Sequence, residues 1–314
     1  MGAIRSTAPL LLQRLQRGLS KFELVYTPHA RWPLPPAKLA QTQTPKPLRI
    51  SVLDASFNPP TLAHLGLANS LPFTSTRNAE KDYDAKLLLL SVKNADKMLK
   101  PGDARYEQRL EMMYRLTQSM RPLASNGLSS ISSPSDPLSP QEAANVAIAI
   151  IDEPTFAGKS QVLLKSLKAQ LVVMPPPSVS AQDVELTFLV GLDTLERLFS
   201  PRYYGSEEAM KELLTKFLAP SGDNSRIVSA KRIMATGSSE EEIEASPFVK
   251  QFIDSERIAV IDLGNELSTY SSTTVRRSVN SMGNADSATG AWRRLVTKDV
   301  ADYIVQERLY VTDL

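Results

Sequence analysis

Cysteine is absent from this chain. Its absence excludes disulfides, thiolate catalysis and zinc–thiolate sites, and it makes folding independent of an oxidising compartment. Histidine is scarce. His29 and His64 are the whole supply, which argues against a metal centre built on paired histidines. Charge of either sign is not in excess: the formal net charge of +2 gives no bulk electrostatic attraction to nucleic acid, and no nucleic-acid partner is expected. Long apolar runs are missing too. Leu87–Leu90 and Val146–Ile151 are strand-sized, well short of the ~20 residues that a membrane helix needs. With 42% apolar and 22% charged residues over 314 positions, the chain has the composition of a globular protein with one large α/β domain or two small ones.

Residues 1–47 carry seven Lys or Arg and one acid, Glu23. That bias fits a mitochondrial transit peptide, and Met1-Gly2 with Ser6 fits the short N-myristoylation pattern. Leu11, Leu15 and Leu19 recur at helical spacing beside Arg14 and Arg17. This favours a solvated amphipathic helix over residues 7–21, and with it a cytoplasmic or nuclear protein rather than a mitochondrial one. The proline-rich stretch Thr27–Pro47 reads as an extended connector.

From residue 48 to 314, strand and helix patterns alternate. Strands are expected at 48–53, 85–92, 146–151, 185–190, 227–228 and 258–263. Helices are expected from Thr61 to near Ser70, over 103–121, 159–169 and 207–218, from Thr194, and near 298–308. Period-2 and period-3.6 apolar spacings carry these assignments. A Ser/Pro-rich insertion at about 122–141 interrupts the alternation. The pattern predicts an α/β fold: a Rossmann-like, mostly parallel sheet with helices on both faces, forming one catalytic domain behind an N-terminal helical extension. Ligands of such sheets bind outside the carboxyl ends of the strands, where strand order reverses.

The segment Asp54-Ala55-Ser56-Phe57-Asn58-Pro59-Pro60-Thr61-Leu62-Ala63-His64 follows the first of these strands. It leads into a helix N-terminus, whose unpaired N–H groups and partial positive charge suit phosphate. Thr61 and His64, three apart, share one face of the first turn. A hydroxyl and an imidazole there can both reach a phosphate group. Far downstream, Ser271-Ser272-Thr273-Thr274 precedes a second helix start, with Arg276 one turn on. Hydroxyls, backbone N–H groups and a guanidinium make a second phosphate grip. Ala157-Gly158-Lys159-Ser160 looks like the end of a P-loop, but that motif requires Gly where this chain has Glu153, and a carboxylate would repel phosphate. Lys159 and Ser160 read instead as a helix start.

Ser56-Phe57-Asn58-Pro59-Pro60-Thr61-x-x-His64 resembles the T/H-x-x-H signature of the nucleotidylyltransferase superfamily, in the form found in nicotinamide mononucleotide adenylyltransferases. Tyr270-Ser271-Ser272-Thr273-Thr274-Val275-Arg276 resembles the second signature, I-S-S-T-x-x-R. The resemblance spans roughly residues 48–314, outside the Ser/Pro insertion. It implies an adenylyltransferase that joins ATP and nicotinamide mononucleotide to give NAD and pyrophosphate. It also implies roles. His64 stabilises the charge on the transferring phosphoryl group, while Thr61 and the backbone of Ala55, Ser56 and Phe57 hold the acceptor or α-phosphate. Ser271, Ser272, Thr273 and Arg276 hold the β- and γ-phosphates, and Lys97, in Lys93-Asn94-Ala95-Asp96-Lys97, adds a mobile positive charge. Asn58, Arg109, Phe156 and Asp193 are assigned to the acceptor or ribose, with Phe156 stacking on the nicotinamide ring and Asp193 lying in a Gly191-x-Asp193 turn. Mg²⁺ arrives with ATP, held by phosphates and water rather than by a protein cage.

Two departures stand out. Ala55 replaces the usual glycine, a cost if that residue must adopt a positive φ. A Trp-Glu pair expected near Asp152-Glu153-Pro154 is missing, and Phe156 is the available aromatic. The acceptor therefore stays open: a phosphopantetheine or a sugar or polyol phosphate is an alternative. So is a catalytically inactive nucleotide-binding protein that engages a partner through the Ser/Pro insertion or the basic N-terminus.

Overall fold

A computed structural model describes residues 2–34, 47–71, 82–92, 101–120, 144–174, 184–231, 246–286 and 290–311. Seven strands form one sheet: β1 (Phe22–Tyr26), β2 (Leu48–Asp54), β3 (Ala85–Ser91), β4 (Val146–Ile151), β5 (Val184–Gly191), β6 (Arg226–Ala230) and β7 (Ile258–Ile261). Their order is β1-β4-β3-β2-β5-β6-β7. All neighbours are parallel except β1, which runs antiparallel to β4. The helices among the described residues are α1 (Gly2–Gln16), α2 (Leu62–Ala68), α3 (Tyr106–Thr117), α4 (Phe156–Val172), α5 (Leu192–Leu198), α6 (Glu207–Leu218), α7 (Pro247–Asp254), α8 (Ser272–Asp286) and α9 (Lys298–Gln306). This is the Rossmann-like arrangement, and strand order reverses between β2 and β5.

Alternation along each strand builds the two layers. Ile50, Val52, Leu87, Leu89, Ala149, Leu186 and Phe188 face one side, packing with Leu163 and Leu167 of α4 and Leu214 and Phe217 of α6. Leu53, Leu88, Leu90, Ile148, Ile150 and Leu189 face the other, against Leu110, Met113 and Leu116 of α3. Both faces are apolar, so these strands read as near-continuous apolar runs, as buried parallel strands do. A third cluster joins Met112 of α3 to Val275 and Val279 of α8, Trp292, and Val300 and Ile304 of α9.

The N-terminal segment differs from its sequence reading. The helix spans 2–16 rather than 7–21, and Leu19 lies beyond it, 68% exposed. Its buried stripe is Ile4, Ala8, Leu12 and Leu15, packed in the same layer as α3. Residues 22–26, given no element in the sequence reading, add β1 to the edge of β4, with Phe22 opposite Ile151 and Leu24 opposite Ala149. The half-buried pattern of β1 carries no clean alternation, which is why the strand escaped notice. This segment is thus part of the sheet and its core, not a solvated extension. Leu15, wholly buried, provides a test. Leu15→Ala should destabilise the protein by about 2–5 kcal/mol through lost burial and a cavity. A change below about 0.5 kcal/mol in urea denaturation, the size of a surface substitution, would show that the helix is not built in. The insertion at 122–141 lies outside the described residues.

Candidate active site

A cavity of about 870 Å³ opens at the carboxyl ends of the strands on both sides of the β2–β5 switch point. Strand ends supply Asp54, Ser91, Gly191 and Ala230; α2 supplies His64, and the start of α8 supplies Ser272, Thr273 and Arg276. The volume lies in the range of small-molecule sites.

The turn after β2 is shaped by its own side chains. Phe57 takes φ 46° and is wholly buried, so its ring faces the core and only its backbone can serve the site. Ala55 is not among the residues with positive φ, so the missing glycine imposes no strain there. Thr61 is fully buried and does not line the cavity. Its backbone N–H donates to His64 Nδ1 at 3.1 Å, and its Oγ1 lies 2.8 Å from the same nitrogen. His64 therefore caps its own helix as the acceptor of a capping box. Because Nδ1 accepts, the proton of the neutral ring sits on Nε2. The ring packs 5.6 Å from that of Phe57, centroid to centroid. Burial lowers its pKa to about 4, so at neutral pH His64 is an uncharged donor.

The second motif closes onto the first. Ser271 caps α8, its Oγ accepting from Thr274 N–H at 3.1 Å. Ser272 Oγ donates to Pro59 O at 2.7 Å. Arg276 Nη1 donates to Asn58 O at 2.6 Å, and its Nε lies 3.8 Å from Asp103. Asn58 is the keystone. Its Nδ2 donates to Asp103 at 2.7 Å; its Oδ1 accepts from Ala104 N–H at 3.2 Å and from Tyr310 Oη at 2.9 Å. Arg109 donates to Ala104 O at 2.8 Å and to Ser56 O at 3.4 Å, and burial lowers its pKa.

Most residues expected from the sequence converge here. Ala55, Ser56, Asn58, His64, Arg109, Phe156, Asp193, Ser271, Ser272, Thr273 and Arg276 line the cavity. One assignment changes in kind. Thr61 is buried behind the cavity wall and bonds to His64 instead of reaching a phosphate. Asn58 and Arg109 line the cavity and also bond to Asp103 and Ala104, which ties the turn after β2 to the start of α3. Lys97 lies outside the described residues. Among the described residues no group of three or more metal-ligating side chains is clustered.

The sequence reading gave no site role to Asp103, Lys231, Tyr270 or the pair Asp54–Lys159, all of which line the cavity. Lys159 does start a helix, since Thr155 caps α4 by accepting from Gly158 N–H at 3.1 Å. Its side chain nonetheless reaches Asp54. A signal was present. A lysine in a first helical turn opposes the helix dipole, and an aspartate ending an apolar strand sits where ligands bind.

The histidine has a consequence for acid stability. Its folded pKa lies below the unfolded value, so the unfolded chain takes up the proton first as pH falls. Stability from this group is therefore whole above about pH 6.5 and is lost progressively toward pH 4. Between pH 7 and 5 the loss should approach about 2 kcal/mol, at 1.4 kcal/mol per unit. His64→Gln should remove that part of the pH dependence of the urea midpoint. An unchanged slope would mean that the ring is solvated.

A doubly wound sheet whose polar crevice straddles its switch point defines an α/β protein of the Rossmann-like kind. In sequence, the chain is similar to a protein of Schizosaccharomyces pombe (strain 972 / ATCC 24843) named "Putative nicotinamide mononucleotide adenylyltransferase", with 32% identity over 172 residues. That match covers 55% of this chain and 50% of that protein, so the chain spans about half the length of the curated relative it matches. No family model matches. Among solved structures, the Plasmodium falciparum nicotinic acid mononucleotide adenylyltransferase complexed with NaAD superposes with a TM-score of 0.45 at 14% identity, covering 83% of this chain and 97% of that one. The same protein complexed with APC gives 0.44 and 13%, covering 83% and 96%.

Proposed function

We propose that this chain transfers the adenylyl group of ATP to nicotinamide mononucleotide, giving NAD and pyrophosphate. The observation that carries this reading is the closure of one signature on the other: Ser272 and Arg276 hold the carbonyls of Pro59 and Asn58. Two phosphate-friendly segments more than 200 residues apart thus frame one cavity.

In this reading an oxygen of the acceptor phosphate attacks the α-phosphorus of ATP in line. The bond from that phosphorus to the bridging oxygen breaks, and pyrophosphate leaves with the electron pair. The Nε2–H of His64 donates to an oxygen of the α-phosphoryl group as its charge redistributes. Ser271, Ser272, Thr273 and Arg276 hold the β- and γ-phosphates at the start of α8. Lys97 adds positive charge to them. Phe156 stacks on the acceptor's ring, and Asp193, exposed in the first turn of α5, reaches a ribose. Asp54 and Asp103 are already engaged with Lys159, Arg109 and Arg276, which fits Mg²⁺ carried on the triphosphate rather than caged by protein. Carried there, the ion would offset phosphate charge. Catalysis is by positioning and charge stabilisation, with no covalent intermediate.

The near-neutral chain favours small-molecule partners over nucleic acid. No helix among the described residues is long and apolar enough to cross a membrane.

The test is incubation with ATP, Mg²⁺ and nicotinamide mononucleotide, followed for NAD and pyrophosphate. Phosphopantetheine and sugar phosphates serve as competing acceptors. Pyrophosphate release only with another acceptor would replace the proposed substrate. ATP binding without release for any acceptor would favour a non-enzymatic protein.

A further inference from the structure

We infer that the ion pair Asp54–Lys159 reads the ring substituent of the acceptor and selects a carboxamide over a carboxylate. This inference rests on the reading that the acceptor is a pyridine mononucleotide.

Asp54 ends β2 at the switch point, and Lys159 reaches it from the first turn of α4. Their side chains are 8% and 6% exposed, yet both line the cavity. Ser91 Oγ donates to the second oxygen of Asp54 at 3.3 Å, which helps to fix the carboxylate. Lys159 Nζ also stands 4.8 Å from the centroid of the Phe156 ring. That ring is held edge-on against Phe188, 5.6 Å away at 81°. Phe156 is a half-buried aromatic of the cavity wall beside Lys159, so a planar ring laid against it brings its substituent within reach of both charges.

The chemistry of the pair decides which substituent fits. A primary carboxamide has one acceptor oxygen and an N–H₂ donor, whereas a carboxylate only accepts. Lys159 supplies a donor and Asp54 an acceptor, so the amide satisfies both at once. A carboxylate gains Lys159 but is set against the like charge of Asp54. A lone lysine would favour the acid, and a lone aspartate would repel it. The pair together is neutral and has the polarity of an amide turned end for end. Buried polar groups of this kind discriminate because the wrong ligand leaves one of them unpaired.

The experiment compares kcat/KM for nicotinamide and nicotinate mononucleotides on single preparations of wild type, Asp54→Asn and Lys159→Met. Removing one member of a buried pair can lower stability, but the ratio of two substrates on one preparation does not depend on the folded fraction. Wild type should prefer the amide by about 10-fold or more; Asp54→Asn should shift the ratio toward the acid by about 10-fold, and Lys159→Met away from it by a similar factor. Shifts of opposite sign are the mark of a selector. Preference of wild type for the acid, shifts of the same sign, or shifts below about 2-fold would overturn the inference. Inactivity of wild type on both mononucleotides would instead overturn the adenylyl-transfer reading. Calorimetric binding of the same two compounds then tests the pair without turnover, by the same signs.

Discussion

His64→Ala is expected to lower turnover by at least about 100-fold, the usual effect of losing one preorganised transition-state donor. The physical basis is the state of the ring. Thr61 N–H occupies Nδ1, burial holds the pKa near 4, and the ring lines the cavity together with Ser271, Ser272 and Arg276. A neutral donor needs no proton change during the reaction, so the variant should lose rate without a new inflection between pH 6 and 8. KM values should move little, because the donor acts on charge that develops after binding. Thr61→Val should cost less, roughly 10-fold, since the backbone N–H still orients the ring. Near-normal turnover of His64→Ala, measured by pyrophosphate release, would remove the histidine from the chemistry and leave it as a helix cap.

Arg276→Ala should raise the KM for ATP by about 10- to 100-fold, as expected for losing charged hydrogen bonds each worth about 1.5–3 kcal/mol. The structure adds a second effect. The same guanidinium holds Asn58 O and lies beside Asp103, so the variant also loosens the turn that carries His64. A smaller fall in kcat and a lower melting temperature should accompany the rise in KM. Arg276→Lys keeps the charge but not the planar fork. It should recover part of the ATP affinity while leaving the turn loose. An unchanged KM for ATP in Arg276→Ala, with full stability, would exclude the residue from the triphosphate grip.

Much of this architecture was legible in advance because its signals are local. Apolar runs at 85–91 and 146–151 needed no partner to be recognised as buried strands. The helix at 207–218 showed its amphipathic period directly. The edge strand Phe22–Tyr26 did not, because its pairing with β4 is a contact across more than 100 residues. The N-terminal helix was found but misplaced, since Leu19 continued the spacing past the end of the core it serves. In the site, the residue types in the two signatures were readable, but not their division of labour. Thr61 looked like a ligand because it shares a face with His64, and only packing showed that it lies behind the ring.

What the sequence determined by itself about the turn from Asp54 to His64 and the segment from Ser271 to Arg276 is their chemistry: donors, hydroxyls and an imidazole at helix starts. That followed from local spacing and backbone rules, which act within a few residues. Tertiary structure alone decided that Ser272 and Arg276 grip Pro59 and Asn58, that His64 is neutral, and that Asp54 meets Lys159 beside Phe156. Those facts depend on desolvation and on contacts between distant segments. The order of strands across the sheet sets both, and no local pattern encodes it.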